Sequence, residues 1–333
     1  MSLNRRTFMQ QAALLGFYAV ASKPWIKAIR QTVDGKRIGI IGLDTSHSIA
    51  FTKALNAANA DPVYKGFHVV AAYPYGSKTI ASSANRIPAY IEEVKGMGVE
   101  ILPSIRTLCE AVDYILLETN DGRIHWEQAK EVIDLGKTLF IDKPLAASYR
   151  DGCRILVYAK QKGVPIFSAS SLRWADGIGE LHEKHKIGDV KGADTFSPSP
   201  LEPTHPDLFW YGIHGVEMLY AILGAGCTEV SRITTATTDI VVGKWPNERV
   251  GTFRGMREGS AFGGIAFGEK GIQLIGGYQG YSQLLQQIIN FFETGIAPVS
   301  DQEMLEVLAF MEAADISKSE NGQVVSLTEV LKR

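Results

Sequence analysis

Two stretches of this 333-residue chain combine residue types that could stabilise a developing charge and move a proton. In the first, Phe140-Ile141-Asp142-Lys143-Pro144-Leu145, an apolar run ends in a lysine followed by proline. A lysine at the carboxyl end of a strand, held by a rigid proline, points into the cleft at that edge of a sheet. Its ammonium can polarise a carbonyl or a developing alkoxide there. In the second, Asp207-Leu208-Phe209-Trp210-Tyr211-Gly212-Ile213-His214-Gly215-Val216-Glu217, helical spacing puts Trp210 and His214 on one face. A histidine titrates close to neutrality and suits general-base work. A tryptophan beside it offers a platform for the apolar face of a sugar, but it cannot orient the imidazole as a carboxylate would. Asp207 and Tyr211 are the neighbours that could take that part.

A third stretch, Gly39-Ile40-Ile41-Gly42-Leu43-Asp44-Thr45-Ser46-His47, is an apolar run that turns at a glycine into a helix. Phosphate-binding turns of the G-x-G-x-x-G type let backbone approach a pyrophosphate at a helix N-terminus. Gly42 holds the first glycine position, whereas Asp44 and His47 stand at the second and third. A carboxylate there would repel a diphosphate, while Thr45, Ser46 and Ser48 could donate hydroxyls. Asp44 or Thr45 could instead simply cap the helix. The end of the next apolar run, Ala72-Tyr73-Pro74-Tyr75-Gly76-Ser77-Lys78, lacks the acid that commonly binds the ribose of NAD. Ser77 and Lys78 suit a 2′-phosphate better, which favours NADP slightly over NAD. Lys78 could equally be a solvated loop residue.

These residues need a frame, and the periodicity supplies one. Strands are expected at Ile38–Ile41, Phe67–Tyr73, Val99–Leu102, Tyr114–Leu117, Thr138–Ile141 and from Pro165 to Ser168. Helical spacing falls between them, over Ile49–Ala60, Ser82–Gly96, the residues up to Val112, His125–Leu135 and Ser148–Lys162. This alternation predicts an N-terminal Rossmann-type, doubly wound parallel sheet over about residues 35–168, with its ligand at the carboxyl ends of the strands. From 169 to 333 the rhythm changes. A helix over Leu208–Leu223 and the C-terminal helices Tyr281–Glu293 and Asp301–Ser319 flank strands at Lys191–Phe196, Val230–Thr238, Gly251–Arg257, Ser260–Phe267 and Gly271–Gly276. That pattern predicts a C-terminal α+β domain with an open, mostly antiparallel sheet, used for substrate binding and oligomerisation. Its exposed apolar face invites a homodimer or homotetramer.

With Asp113 to His125 and Asp142-Lys143-Pro144 in view, the chain resembles the Gfo/Idh/MocA family of sugar and inositol dehydrogenases. Members carry a strand, a short loop and a histidine at the first place, and Glu-Lys-Pro at the second. The resemblance runs from about Arg37 to Leu327. It implies an oxidoreductase moving a hydride between a nicotinamide cofactor, NADP or NAD, and a sugar, cyclitol or glycoside. It places Lys143 between nicotinamide and substrate and makes His214 the base that takes the hydroxyl proton. The nucleotide side comprises Gly42, Thr45, Ser46, His47, Ser77, Lys78, Thr119, Asn120, His125, Asp142 and Lys143. The substrate side comprises Arg173, Asp207, Trp210, Tyr211 and His214. Arg173 resembles an arginine that follows the sixth strand; it could hold substrate, brace the nicotinamide end, or form a structural ion pair. His214, Gly212 and Glu217 match the family's helix, but Trp210 stands where the family has aspartate.

Bulk properties narrow the alternatives. The net charge is −2 with no long basic run, which argues against nucleic acid. Cys109, Cys153 and Cys227 form no C-x-x-C pair, His182, Glu183 and His185 lack H-E-x-x-H spacing, and no metal site is expected. Residues 1–21 read as a twin-arginine export signal. Arg5-Arg6 precede an uncharged run, Ala12 to Ala21, that ends in Ala19-Val20-Ala21. The run is too short to span a bilayer after processing. The expected location is therefore periplasmic or exported, and cytoplasmic if the signal goes unused. A twin-arginine route suits an enzyme that folds around its nucleotide and keeps it through oxidation and re-reduction. The rival reading is a non-catalytic sugar or nucleotide sensor on the same fold.

Overall fold

The computed structural model describes residues 35–182 and 186–332; the residues 1–21 expected to act as an export signal, and Glu183 and His185, lie outside them. Short apolar runs form the six strands of the first sheet: β1 (Arg37–Ile41), β2 (His68–Tyr73), β3 (Glu100–Ile101), β4 (Tyr114–Leu117), β5 (Thr138–Asp142) and β6 (Ile166–Ala169). All neighbours pair in parallel, in the order β3-β2-β1-β4-β5-β6. Connections leave β1 in both directions, so a crevice opens between β1 and β4 at the carboxyl edge. The connecting helices are α1 (Ser46–Leu55), α2 (Ala81–Ala84), α3 (Ile87–Gly96), α4 (Ile105–Ala111), α5 (His125–Asp134) and α6 (Tyr149–Lys162). The helix expected over Ser82–Gly96 is broken in two, because Pro88 sits in the first turn of α3 and restarts the helix there. Ser148 caps α6 by accepting from the Asp151 amide at 3.1 Å, and Gly163 ends it at a φ of 68°.

The second sheet contains β7 (Val190–Pro198), β8 (Glu229–Thr234), β9 (Thr238–Trp245), β10 (Arg249–Met256), β11 (Gly263–Gly268), β12 (Ile272–Ile275) and β13 (Val325–Ser326). Its order is β12-β11-β7-β10-β9-β8-β13, antiparallel throughout except for β7 beside β10. The single strand expected over Val230–Thr238 is in fact a hairpin. The chain reverses through Thr235–Thr237, where the Thr235 amide donates to Thr238 O at 2.8 Å, and returns as β9.

Residues alternate between faces along these strands. Val241, Phe253 and Ala266 are buried against the helices, while Ile233, Val250 and Leu274 lie exposed on the other face. The helices are α7 (Ile213–Leu223), α8 (Ser282–Thr294), α9 (Asp301–Ser319) and α10 (Leu327–Val330), with a π-turn at Leu208–Gly212 leading into α7. Helix α9 packs on both β8 and α6. A Cβ at Gly152 would lie 2.4 Å from Leu308 Cδ1, so glycine permits this approach. The Tyr149 amide adds a hydrogen bond to the Glu312 carboxylate at 3.1 Å. These contacts fix the second sheet's helices against the carboxyl edge of the first. Among the described residues no helix is long and apolar enough to cross a membrane.

Candidate functional site

The turn after β1 is built on close approach. Gly42 has a φ of 87°, and a Cβ there would fall 2.5 Å from Thr119 Oγ1 and 2.7 Å from Thr119 Cα. Only glycine lets the β1 and β4 loops meet. Asp44 points into the protein: it is fully buried, and its carboxylate accepts from the Ser77 amide at 2.6 Å and the Asn120 amide at 3.0 Å. It therefore neither faces a diphosphate nor caps α1; it ties the loops after β1, β2 and β4 together. Burial pushes its carboxyl above the usual aspartate range against the pull of those hydrogen bonds. Thr45 is the N-cap residue of α1 but makes no side-chain cap, so the leading amides of the helix stay open. Thr45 Oγ1, Ser77 Oγ and Thr119 Oγ1 are buried hydroxyls without a hydrogen-bond partner among the described residues.

A cavity of about 420 Å³ opens above this edge. Thr45, Ser46, His47, Asn120, Asp142 and Lys143 line it from the first sheet, and Trp210, Tyr211 and His214 from the π-turn and α7. The π-turn brings Trp210 and Tyr211, and the first turn of α7 brings His214, to one cleft, so the shared face has a different origin from regular α-helical spacing. Lys143 is buried, with Nζ 5.9 Å from the Tyr211 ring centre. Burial draws its ammonium below the ordinary lysine range, opposed by Asp142, Glu118 and Asp44. His214 lies edge-on to Tyr211 at 4.8 Å, and its Nδ1 is 2.7 Å from Ser170 Oγ. Burial, and the charges of Lys143 and His47, hold His214 well below the usual histidine range. The expectation that this imidazole titrates near neutrality is thus corrected: the ring is already neutral there.

Several expected ligand contacts are structural instead. His125 is buried, with Nδ1 2.9 Å from Pro144 O and Nε2 2.7 Å from Thr119 O. It fastens the loop carrying Asn120 to the loop carrying Lys143 and does not reach the cavity. Arg173 is buried, with Nη1 2.7 Å from Glu217 and Nη2 on Glu303. Both ends of its fork are taken, so it joins α7 to α9 and is not a substrate contact. Asp207 pairs with Arg232 at 2.9 Å and with Lys318, outside the cavity. Neither Asp207 nor Tyr211 orients His214; Ser170 does. Ser77 lies beneath the surface as an amide donor to Asp44, and Lys78 is exposed with no ion pair among the described residues.

The sequence reading gave no part to Glu118, Ser170, Arg86, Phe262 or Tyr281. Arg86, Phe262 and Tyr281 line the cavity, and Tyr281 Oη lies 3.2 Å from Ser46 Oγ. Glu118 was legible as an acid directly after an apolar strand, a position where burial is expected.

This topology and site can be set beside known proteins. Residues 36–170 match the family model described as an oxidoreductase family with an NAD-binding Rossmann fold. That segment is the first sheet with its helices, and its match is to the Gfo/Idh/MocA family model. No curated protein sequence matches it. Among solved structures, scyllo-inositol dehydrogenase from Lactobacillus casei, with bound NAD(H) and scyllo-inositol, has a TM-score of 0.71 at 14% identity. The match covers 88% of this chain and 99% of that one. Myo-inositol dehydrogenase from the same organism, in complex with NAD(H) and myo-inositol, has 0.68 at 16%, covering 87% and 96%. A probable dehydrogenase from Thermotoga maritima has 0.68 at 19%, covering 88% and 99%. At such identities the likeness shows the fold.

The residues at the carboxyl edge suit a dinucleotide. The Gly42 turn, the uncapped amides of α1 and the unpartnered hydroxyl of Thr45 are suited to a dinucleotide's phosphates, and Asp44 is turned away from them.

Proposed function

We propose that this protein is a nicotinamide-dependent oxidoreductase acting on a secondary alcohol of a sugar, cyclitol or glycoside. The observation that carries the proposal is the convergence of Lys143 and His214 on one cavity from opposite sides, with Trp210 and Tyr211 beside them. Bound nicotinamide would supply the hydride acceptor or donor. Thr45, Ser46, Asn120 and Lys143 would hold it. Lys143 stabilises the oxygen as negative charge develops, an effect strengthened by its removal from water. His214 takes the hydroxyl proton in oxidation and returns it in reduction. Its neutral form is the competent one, and an Nδ1–H donated to Ser170 Oγ would leave Nε2 free as the base. Trp210 and Tyr211 give the apolar face of a ring a surface to rest on.

Three finer readings accompany this one. NADP is favoured, because no acid follows β2 while Lys78 is exposed nearby and Arg86 lines the cavity. Association through the outer face of the second sheet is favoured by Ile233, Val250, Ile272 and Leu274. Export is favoured by residues 1–21 of the sequence.

The test is to mix the purified protein with NADP or NAD and a panel of sugars and cyclitols, following reduced-nicotinamide absorbance. Reduction with one or more of these polyols is expected. No spectral change with any of them, in a protein that still binds sugar or nucleotide, would favour a sensor.

A further inference from the structure

His47, Glu118 and Asp142 meet beneath the crevice between β1, β4 and β5, and no part of the dehydrogenase reading needs Glu118. Each offers one donor atom, and these atoms lie within 4.8 Å of one another. His47 Nδ1 is 3.0 Å from Asp142 Oδ2 and 3.8 Å from Glu118 Oε2. Glu118 is fully buried, and neither of its oxygens accepts a hydrogen bond among the described residues. A buried carboxylate without a hydrogen bond is among the costliest arrangements in a protein. Its counterpart Asp142 is aimed: Oδ1 accepts from the Lys143 amide at 2.8 Å, which leaves Oδ2 facing the cluster. The His47 ring is held edge-on to Tyr281 at 4.3 Å and tilted on Phe51 at 5.6 Å.

We propose that His47, Glu118 and Asp142 bind a divalent transition-metal ion. One imidazole nitrogen and two carboxylate oxygens form a mixed donor set suited to Zn²⁺, Mn²⁺ or Fe²⁺, rather than to the all-oxygen cages of Ca²⁺ or Mg²⁺. The two carboxylates balance the ion's charge, and the Lys143 backbone amide holds Asp142 in place. Donors around an ion with bonds of about 2.1 Å lie roughly 3–3.5 Å apart, so a separation of 4.8 Å needs to close by roughly 1.3–1.8 Å. With three protein ligands, coordination positions remain open. His47 and Asp142 also line the cavity, so those positions would face the space shared with Lys143 and His214. The inference does not rest on the dehydrogenase reading, since the ion would bind without nucleotide or polyol.

The full-length protein, stripped with chelator and free of nucleotide, is titrated with Zn²⁺ and Mn²⁺ by calorimetry. Metal content after gel filtration is measured for both and for Fe²⁺ added anaerobically. One ion per chain is expected. Glu118→Gln and Asp142→Asn should each weaken binding by more than about 100-fold, beyond the usual cost of losing an outer-shell partner. Melting temperature controls for folding. If either variant fails to fold, Co²⁺ in the wild-type chain provides the readout: visible bands of a nitrogen- and oxygen-ligated site, altered in His47→Gln. Absence of stoichiometric uptake of every ion tested would overturn the proposal. So would uptake unchanged in the folded carboxylate variants, or Co²⁺ bands unchanged in His47→Gln.

Discussion

At the residue scale, His214 decides what kind of base this site has. Burial and the neighbouring Lys143 and His47 charges depress it, so the ring carries no proton at neutrality. The sign of the effect follows. A base already neutral gains nothing as pH rises through neutrality, and loses competence only where acid reaches its depressed range. The kcat/KM for polyol oxidation should therefore show no inflection attributable to His214 between about pH 6.5 and 8.5. His214→Ala should lower turnover by ~10²–10⁴-fold with little change in melting temperature. An ordinary histidine inflection near neutrality, lost in His214→Ala, would show that the imidazole is more solvated than its position implies. Not all of this residue's setting could be read in the sequence. His214 and its neighbours Trp210 and Tyr211 were legible as a local cluster of residue types, although a π-turn rather than regular helical spacing brings them to one cleft. Its hydrogen-bond partner Ser170 was not, because that contact joins residues far apart in the chain.

At the element scale, two buried charge clusters hold the site's walls in place. Arg173 links α7 to α9 through Glu217 and Glu303. Removing the guanidinium strands a buried Glu217, so Arg173→Ala should destabilise the fold by about 3–5 kcal/mol. A lower melting temperature in chemical or thermal denaturation would show this. An unchanged melting temperature with a raised KM would return Arg173 to the substrate side.

Arg232 is fully buried and meets Asp207, Asp239 and Asp315. Through Asp207 it anchors the π-turn that carries Trp210 and Tyr211. Burial pushes Asp315 up to about 7, against the pull of Arg232. A carboxyl that holds its proton more tightly when folded makes stability fall as pH rises from the unfolded range near 4 towards 7. Asp315→Asn should flatten that slope in denaturant titrations; an equally steep slope in the variant would locate it elsewhere. The strands of the first sheet were readable because each is a short apolar run closed by a turn residue or a polar residue. The β8–β9 reversal was not, because Thr235-Ala236-Thr237 contains no glycine, asparagine or proline to mark a turn.

At the scale of the whole molecule, the second sheet covers one face with helices and leaves the other open. Ile233 is 68% exposed, Ile272 59% and Leu274 66%, so the open face carries large apolar side chains near both ends of the sheet. The apolar residues are interspersed with exposed Asp194, Lys244 and Arg254, a mixed face of the kind that pairs with a second copy. Light scattering should find a dimer or tetramer, and Ile233→Asp with Leu274→Glu should shift it towards monomer while leaving the fold intact. A wild-type monomer at micromolar concentration would remove the sheet face from the account. The two-sheet plan was legible from the change in rhythm after Ser170. The way α9 returns to α6 was not, since it depends on Gly152 meeting Leu308.

In the proposed reaction Lys143 and His214 act together on an alcohol in one cavity. The most direct measurement is single-turnover reduction of bound nicotinamide by a polyol substrate, in wild type and Lys143→Ala, with melting temperature as the control. The folded variant is expected to lose ~10²-fold or more in the hydride-transfer rate while substrate affinity changes much less, because the ammonium stabilises charge that exists only in the transition state. A folded Lys143→Ala protein that transfers hydride at the wild-type rate would contradict it.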